Sequence, residues 1–280
     1  QYDEATEIEM FRFLADNFDS GWLDAAAGNE SRAPIVVLGQ PRTGTTLIER
    51  IISRHSQVQS AGELQQFSLA VRRLSSHRGP RQFSAAFFAA AKDIDPAKLG
   101  ALYLETSQRM RGETPRFVDK LPHNYLLIPL IMRALPNAKI VHLVRDPMDA
   151  CFASYKQLFA DAYLHSYDLG ETARHHARYL SLMDTRRKRF PGGFFDISYD
   201  ETVGDLEKHA RALIDYLELP WEDSCLRFHE KDEAVSTASA VQVREPVHTR
   251  SIGRWRRYEQ QLAGLRAALQ QEGVRVDDAD

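Results

Sequence analysis

Pro34-Ile35-Val36-Val37-Leu38-Gly39 is a continuous apolar run. It leads directly into Gly39-Gln40-Pro41-Arg42-Thr43-Gly44-Thr45-Thr46, and then Leu47, Ile48, Ile51 and Ile52 recur at helical spacing. An apolar run without polar alternation suits a strand buried on both faces of a parallel sheet. The eight residues after it match the frame G-x-x-x-x-G-[K]-[ST], in which a strand–loop–helix unit wraps backbone N–H groups around phosphate. Gly44 permits the left-handed or close-approach backbone of such a nest, and Thr45 and Thr46 add hydroxyl donors at the helix start. The fold class this segment demands is α/β: a parallel central sheet flanked by helices, with a P-loop-like nucleotide-binding core.

Thr45 stands where a triphosphate-binding loop carries Lys, the residue that spans the β- and γ-phosphates. A dedicated NTPase is therefore disfavoured. Arg42 supplies a cation from the other side of the loop, which is expected to grip a single phosphate-like group.

The rest of the chain continues the alternation. Ile8, Phe11, Leu14 and Phe18 predict a first helix that stops at Asp19-Ser20-Gly21. Residues 64–112 read as mainly helical, with breaks near Gly79-Pro80 and Asp95-Pro96. Arg116–Asp119, Lys139–Val144 and Phe194–Tyr199 are further strand candidates, and helices are expected over Asn124–Leu135, Asp146–Phe159 and residues 171–190. Leu206, Ala210, Leu213, Ile214 and Leu217 mark another helix face. Residues 229–250 read as irregular, and Trp255, Tyr258, Leu262, Leu265 and Leu269 as one last amphipathic helix. The expected organisation is a single domain over 1–280, with a helical lead-in at 1–32, a core at 33–260 and a frayed acidic tail at 271–280.

Charge narrows the function classes. Against 39 Asp and Glu stand 36 Lys and Arg, a formal net charge of −3, so binding nucleic acid by bulk charge is excluded and anion binding must come from local clusters. The two cysteines, Cys151 and Cys225, cannot build a disulfide framework and are expected to be reduced core thiols. No apolar run approaches the roughly 18 residues of a membrane span, and the first residues lack the basic and apolar regions of a secretory signal. A cytoplasmic protein is the expectation, with possible homodimerisation through an apolar helix. No Cys/His set has zinc spacing, so no metal is expected. His175 and His176 point different ways on a helix and are expected to be solvated, as is the run Arg186-Arg187-Lys188-Arg189.

Pro41-Arg42-Thr43-Gly44-Thr45-Thr46 resembles the 5′-phosphosulfate loop of sulfotransferases that use 3′-phosphoadenosine 5′-phosphosulfate (PAPS). Val144-Arg145-Asp146-Pro147-Met148-Asp149 resembles their 3′-phosphate segment. The resemblance runs from about Pro34 to about Tyr258. It is strongest to bacterial sulfotransferases that often carry an upstream tetratricopeptide array, and more distant to tyrosylprotein sulfotransferases. It implies transfer of a sulfuryl group from PAPS to an acceptor hydroxyl, leaving adenosine 3′,5′-bisphosphate (PAP) and needing no metal.

The resemblance also implies roles. Arg42, Thr43, Gly44, Thr45 and Thr46 would hold the 5′-phosphosulfate, and Arg145 the 3′-phosphate. Glu63, in Gly62-Glu63, falls in the place of the catalytic base, and Lys120 in that of the lysine at the bridging oxygen and leaving phosphate. Tyr199 and Arg254 would belong to the nucleotide site. Ser239–Val247 resembles the loop that closes over donor and acceptor. The family's serine, eight residues after the arginine, is replaced by Ala153, so Ser154 becomes the candidate for that contact. Pro122 occupies the place of the histidine base of cytosolic sulfotransferases. His123 could serve as a second proton acceptor, although a residue beside a helix cap is the plainer reading. The acceptor stays open among small molecule, glycan, lipid and protein tyrosine. The alternatives are a P-loop phosphotransferase and a non-catalytic nucleotide-binding module.

Overall fold

The computed structural model describes residues 2–159, 162–230 and 249–276 of the 280. Its centre is one parallel sheet of five strands: β1 (Pro34–Gly39), β2 (Val58–Ser60), β3 (Arg116–Lys120), β4 (Lys139–Val144) and β5 (Phe195–Ser198). They lie in the order β2-β3-β1-β4-β5, which puts the phosphate-loop strand in the middle. Register sets Val37 beside Lys120 of β3, and Gly39 beside Leu143 of β4.

The helices in chain order are α1 (Glu4–Asn17), α2 (Ser20–Asp24), α3 (Thr45–Ser53), α4 (Gln66–Ser75), α5 (Ala85–Ala91) and α6 (Pro96–Ser107). They continue as α7 (Ile128–Ala134), α8 (Pro147–Tyr155), α9 (Leu169–Arg189), α10 (Tyr199–Gly204), α11 (Leu206–Tyr216) and α12 (Ala263–Gln271). Side-chain oxygens start several of them, as at Asp3, Ser84, Asp95 and Asp168, each accepting from a first-turn backbone N–H.

Every residue of β1 is buried, and alternate side chains enter different cores. Val36 and Leu38 pack with Leu14, Phe67 and Phe88 on one face; Ile35 and Val37 pack with Ile48, Ile52 and Leu213 on the other. The unbroken apolar run is thus explained by cover on both faces, each full burial being worth ~1.5–3 kcal/mol.

Several expectations are corrected. β2, only three residues long, has no periodic signal in the sequence and pairs with β3. Ile8 is exposed, and Met10 joins Phe11 and Leu14 on the buried face of α1. Asp19 does not simply end that helix but caps α2 by accepting from Trp22 N. The last amphipathic stretch is split into a 3-10 turn at Arg254–Tyr258 and α12, and Val274 and Val276 after it are buried rather than frayed. Arg186 is not solvated: it is fully buried, its guanidinium 5.6 Å from the Phe18 ring centre and 5.9 Å from that of Phe190. Burial, then Arg189, pushes it down to about 9. Cys151 and Cys225 are both buried and free. Among the described residues no helix is long and apolar enough to cross a membrane.

Candidate active site

Five candidate residues leave the sheet at its carboxyl edge, where open parallel sheets bind ligands. Arg42 follows β1, Glu63 follows β2, Lys120 ends β3, Arg145 follows β4 and Tyr199 follows β5.

The loop after β1 is held by unusual backbone. Gly39 has φ 149°, and a Cβ there would lie 3.0 Å from the Leu143 carbonyl oxygen. Gly44 has φ 103° and caps α3, and a Cβ there would lie 2.3 Å from the Tyr199 ring. Both positions therefore require glycine. Arg42 is left-handed at φ 65°, a conformation that costs ~1–2 kcal/mol for a residue with a Cβ. Its carbonyl accepts from Arg145 Nη1 at 2.6 Å, a charge-assisted bond across the site. Thr43 Oγ1 donates to the Gln40 carbonyl at 2.7 Å, and Thr45 and Thr46 are buried in the first turn of α3.

Arg145 joins three parts of the site. Besides Arg42, it donates from Nη2 to the Ser251 carbonyl at 2.8 Å, and its guanidinium lies 4.7 Å from the Tyr199 ring centre. Its Nε is buried with no partner among the described residues. Among the described residues Asp149 pairs with neither Arg145 nor any other cation at hydrogen-bond distance. It accepts instead from the backbone N–H groups of Gly253, at 2.6 Å, and Trp255, at 3.1 Å, which pins the segment bearing Arg254 against α8.

A cavity of about 150 Å³ opens between these elements, lined by Arg42, Arg145, Lys156 and Arg254 with Ala153 and Gln157. Burial lowers Arg42, and Arg145 lowers it further; burial lowers Lys156, as do Arg254, Arg42 and Arg145. Four cations that disfavour one another around one small space make a receptor for a multiply charged anion. Lys156 and Gln157 were missed in the sequence. The available signal was their spacing: each is within one turn of Ala153 on α8 or its continuation. Ser154 does not enter this cavity. It is buried and donates to the Pro41 carbonyl at 3.2 Å, bracing the phosphate loop from behind.

On the other side of β1, Lys120 is buried and its Nζ meets Glu63 Oε1 at 2.5 Å. Asp119, the alternative partner for Lys120, faces away. It accepts from Tyr103 OH and Leu64 N, and burial pushes it up to about 7. The Glu63 side chain is 44% exposed, and its Oε2 has no partner among the described residues. A buried ammonium beside a half-exposed carboxylate provides a charge neutraliser and a proton acceptor at one place.

His175 and His176, expected to be solvated, are both buried. His175 lies 3.0 Å from Glu7 through Nδ1 and 3.2 Å from the Gln40 amide through Nε2, with its ring stacked 3.5 Å from that of His165. Glu7, His165 and His175 bring three possible metal-ligand atoms within 4.8 Å of one another. Those of Glu7 and His175 are already engaged, because Arg178 Nε also donates to Glu7 at 3.0 Å. Ser239–Val247 lies outside the described residues.

A family model described as the sulfotransferase family matches residues 34–223. The chain is 33% identical over 264 residues to an uncharacterized protein of Aquifex aeolicus, a match covering 90% of this chain and 34% of that one. It thus spans about a third of that relative's length. It is 25% identical over 242 residues to protein-tyrosine sulfotransferase 1 of Danio rerio, covering 81% of this chain and 66% of the other. Among solved structures it shares its fold with a sulfotransferase domain from the curacin biosynthetic pathway, at TM-score 0.58 and 16% identity, over 90% of this chain and all of that one. A mouse sulfotransferase complexed with PAP matches at TM-score 0.51 and 12% identity, over 92% of this chain and 90% of that one.

Proposed function

Because the chain belongs to the sulfotransferase family, we propose that it moves the sulfuryl group of PAPS to an acceptor hydroxyl and releases PAP. The observation that carries this reading is the pairing of two anion receptors on one sheet edge: the phosphate loop after β1 and the four-cation cavity beside α8. A nucleotide with phosphates at both its 5′ and 3′ positions fits such a pair better than a linear triphosphate, for which Thr45 lacks the lysine charge.

The loop Arg42–Thr46 grips the 5′ end. Arg145 holds the 3′-phosphate together with Lys156 and Arg254. Lys156 supplies as charge what Ala153 cannot supply as a hydroxyl. Tyr199 packs against Gly44 and Arg145 and so sets the spacing between the two receptors. PAPS supplies the activated sulfuryl group. Glu63 Oε2 takes the acceptor proton while the acceptor oxygen bonds to sulfur and the bond from sulfur to the bridging phosphate oxygen breaks. Lys120 and Arg42 offset the charge that gathers on that leaving oxygen.

The test is calorimetric titration with PAP and with ATP-Mg, followed by transfer of labelled sulfate from PAPS. Sub-millimolar PAP binding that weakens in Arg42→Ala and Arg145→Ala is expected. Equal affinity for ATP-Mg would favour phosphoryl transfer. Normal PAP binding without turnover of any acceptor in a cell extract would favour a binding module.

A further inference from the structure

We infer that the cleft of about 270 Å³ between the start of α1, residues 81–83, the 3-10 turn Pro122–Leu127 and Tyr163–His165 is the acceptor subsite, and that it takes an uncharged small molecule whose hydroxyl sits on an apolar, ring-sized body. This rests on the sulfuryl-transfer reading and names the acceptor class that reading leaves open.

Position is the first ground. His123 lies three residues beyond Lys120 and lines the cleft, as does Tyr163. Burial dominates the titration of both, pushing His123 down to about 4 and Tyr163 up, and the Glu63 carboxylate then raises each. The turn that carries His123 follows directly on β3, whose last residue, Lys120, pairs with the proposed base, so cleft and base meet at one backbone junction.

The walls are the second ground. Phe83 meets the His123 ring edge-on at 5.4 Å, and Met10, Phe11 and Leu126 complete an apolar lining. At about 270 Å³ the cleft lies just under the roughly 300–1,000 Å³ usual for small-ligand sites, which limits it to one or two fused rings.

Charge is the third. The charged groups of the cleft are already matched: Arg81 meets Asp3 at 2.6 Å, and Glu7 meets Arg178 at 3.0 Å. An anionic glycan would find no surplus cation there among the described residues. The contrast with the four cations of the donor cavity is direct.

The cleft also has one polar handle. His123 Nδ1 lies 3.3 Å from Tyr163 OH, while Nε2 is buried with no partner among the described residues. The His123–Tyr163 pair is the polar pole of an otherwise apolar cleft, where the imidazole and the Tyr163 hydroxyl can each exchange their mutual bond for one to a ligand hydroxyl. His123 is thus a positioning residue: it aims the hydroxyl at Glu63, which takes the proton.

The test is titration of the PAP-saturated full chain with 2-naphthol and, separately, with an unsulfated heparosan hexasaccharide and a tyrosyl peptide. 2-Naphthol is expected to bind, and Phe83→Ala to weaken it at least tenfold while PAP affinity stays within twofold. If that variant melts early, Phe83→Leu replaces it, with a smaller loss. With labelled PAPS, His123→Ala is expected to raise KM for 2-naphthol more than it lowers kcat, and His123→Gln to restore most of the loss. Absent naphthol binding, binding indifferent to Phe83, or transfer only to the hexasaccharide or the peptide would overturn the assignment. Failure of PAP to bind would instead strike the donor reading itself.

Discussion

Among the described residues that line the cavity beside α8, four cations stand with one carboxylate, and Asp149 gives it to two backbone N–H groups. In the cleft beside α1, Asp3 has Arg81, and Glu7 has Arg178 and His175. One end of the site gathers like charges and the other has its charges paired. Clustered like charge is costly to hold and is eased where a ligand of opposite charge joins it. Paired charge shapes a wall and leaves apolar surface to choose the ligand. The Lys120–Glu63 pair, half buried and half exposed, is the junction at which the proposed reaction would join them.

The sharpest way to break this comparison is at that junction. Glu63→Gln is expected to lower kcat about 10³-fold, within the usual span for a general base, with PAP affinity unchanged within about twofold by calorimetry. A comparable loss of PAP affinity would mean that Glu63 belongs to the donor end. Next in size, Arg145→Ala should weaken PAP about 100-fold, since it removes a charged donor that also ties Arg42 to Ser251. 2-Naphthol affinity should not move.

Glu7 tests the paired end. Burial alone would raise its pKa, but His175 and the other groups around it hold it down to about 2. A depressed carboxyl contributes stability that is present above the unfolded value near 4.5 and is lost as pH falls toward 2. Glu7→Gln should therefore cost about 2–3 kcal/mol in urea unfolding at pH 7 and much less at pH 3. A loss that is the same at both pH values would show that the pairing adds no stability.

Lys156→Met should weaken PAP about tenfold, or 1.4 kcal/mol, and leave adenosine 5′-monophosphate unchanged, because only the 3′-phosphate reaches its cavity. The smallest effect distinguishes the two ends without mutation. Raising salt from 50 to 200 mM should weaken PAP by about a few-fold and 2-naphthol not at all.

Much of the donor end is legible in the sequence because its signals are local. A strand, a turn and a helix start occupy consecutive residues at both Gly39–Thr46 and Val144–Asp149, so the two anion receptors can be read as units. Lys120 is readable at the end of its strand, but Glu63 follows a strand with no signal of its own and is reached only through the resemblance, and the ion pair joining the two, across two strands, is not legible. The acceptor cleft is assembled from α1, the loop near Phe83 and the turn at His123, which are widely separated in the chain, and no periodicity reports that meeting. His175, His176 and Arg186 show the same limit. On a helix packed on most of its sides, polar residues are buried whenever a neighbour such as Glu7 or Phe18 comes from elsewhere in the chain. Ser154 was a near miss of about 100° of helix rotation, which turned a hydroxyl from the ligand cavity to the back of the loop.

The parallel pairing of β3, β1 and β4 also works as a ruler. Lys120 lies beside Val37, and Arg145 lies two residues beyond Leu143, which is beside Gly39. With strands ~4.8 Å apart and ~3.3 Å per residue along each, the two cations are set on the order of 15 Å apart by hydrogen-bond registration alone. Surface loops may lengthen or shrink without altering that gauge. Sliding β4 by a single residue would change it by ~3.3 Å and turn every side chain of that strand to the opposite face. Under the sulfuryl-transfer proposal, selectivity for the length of the donor is written into the sheet, where drift in the loops cannot erase it.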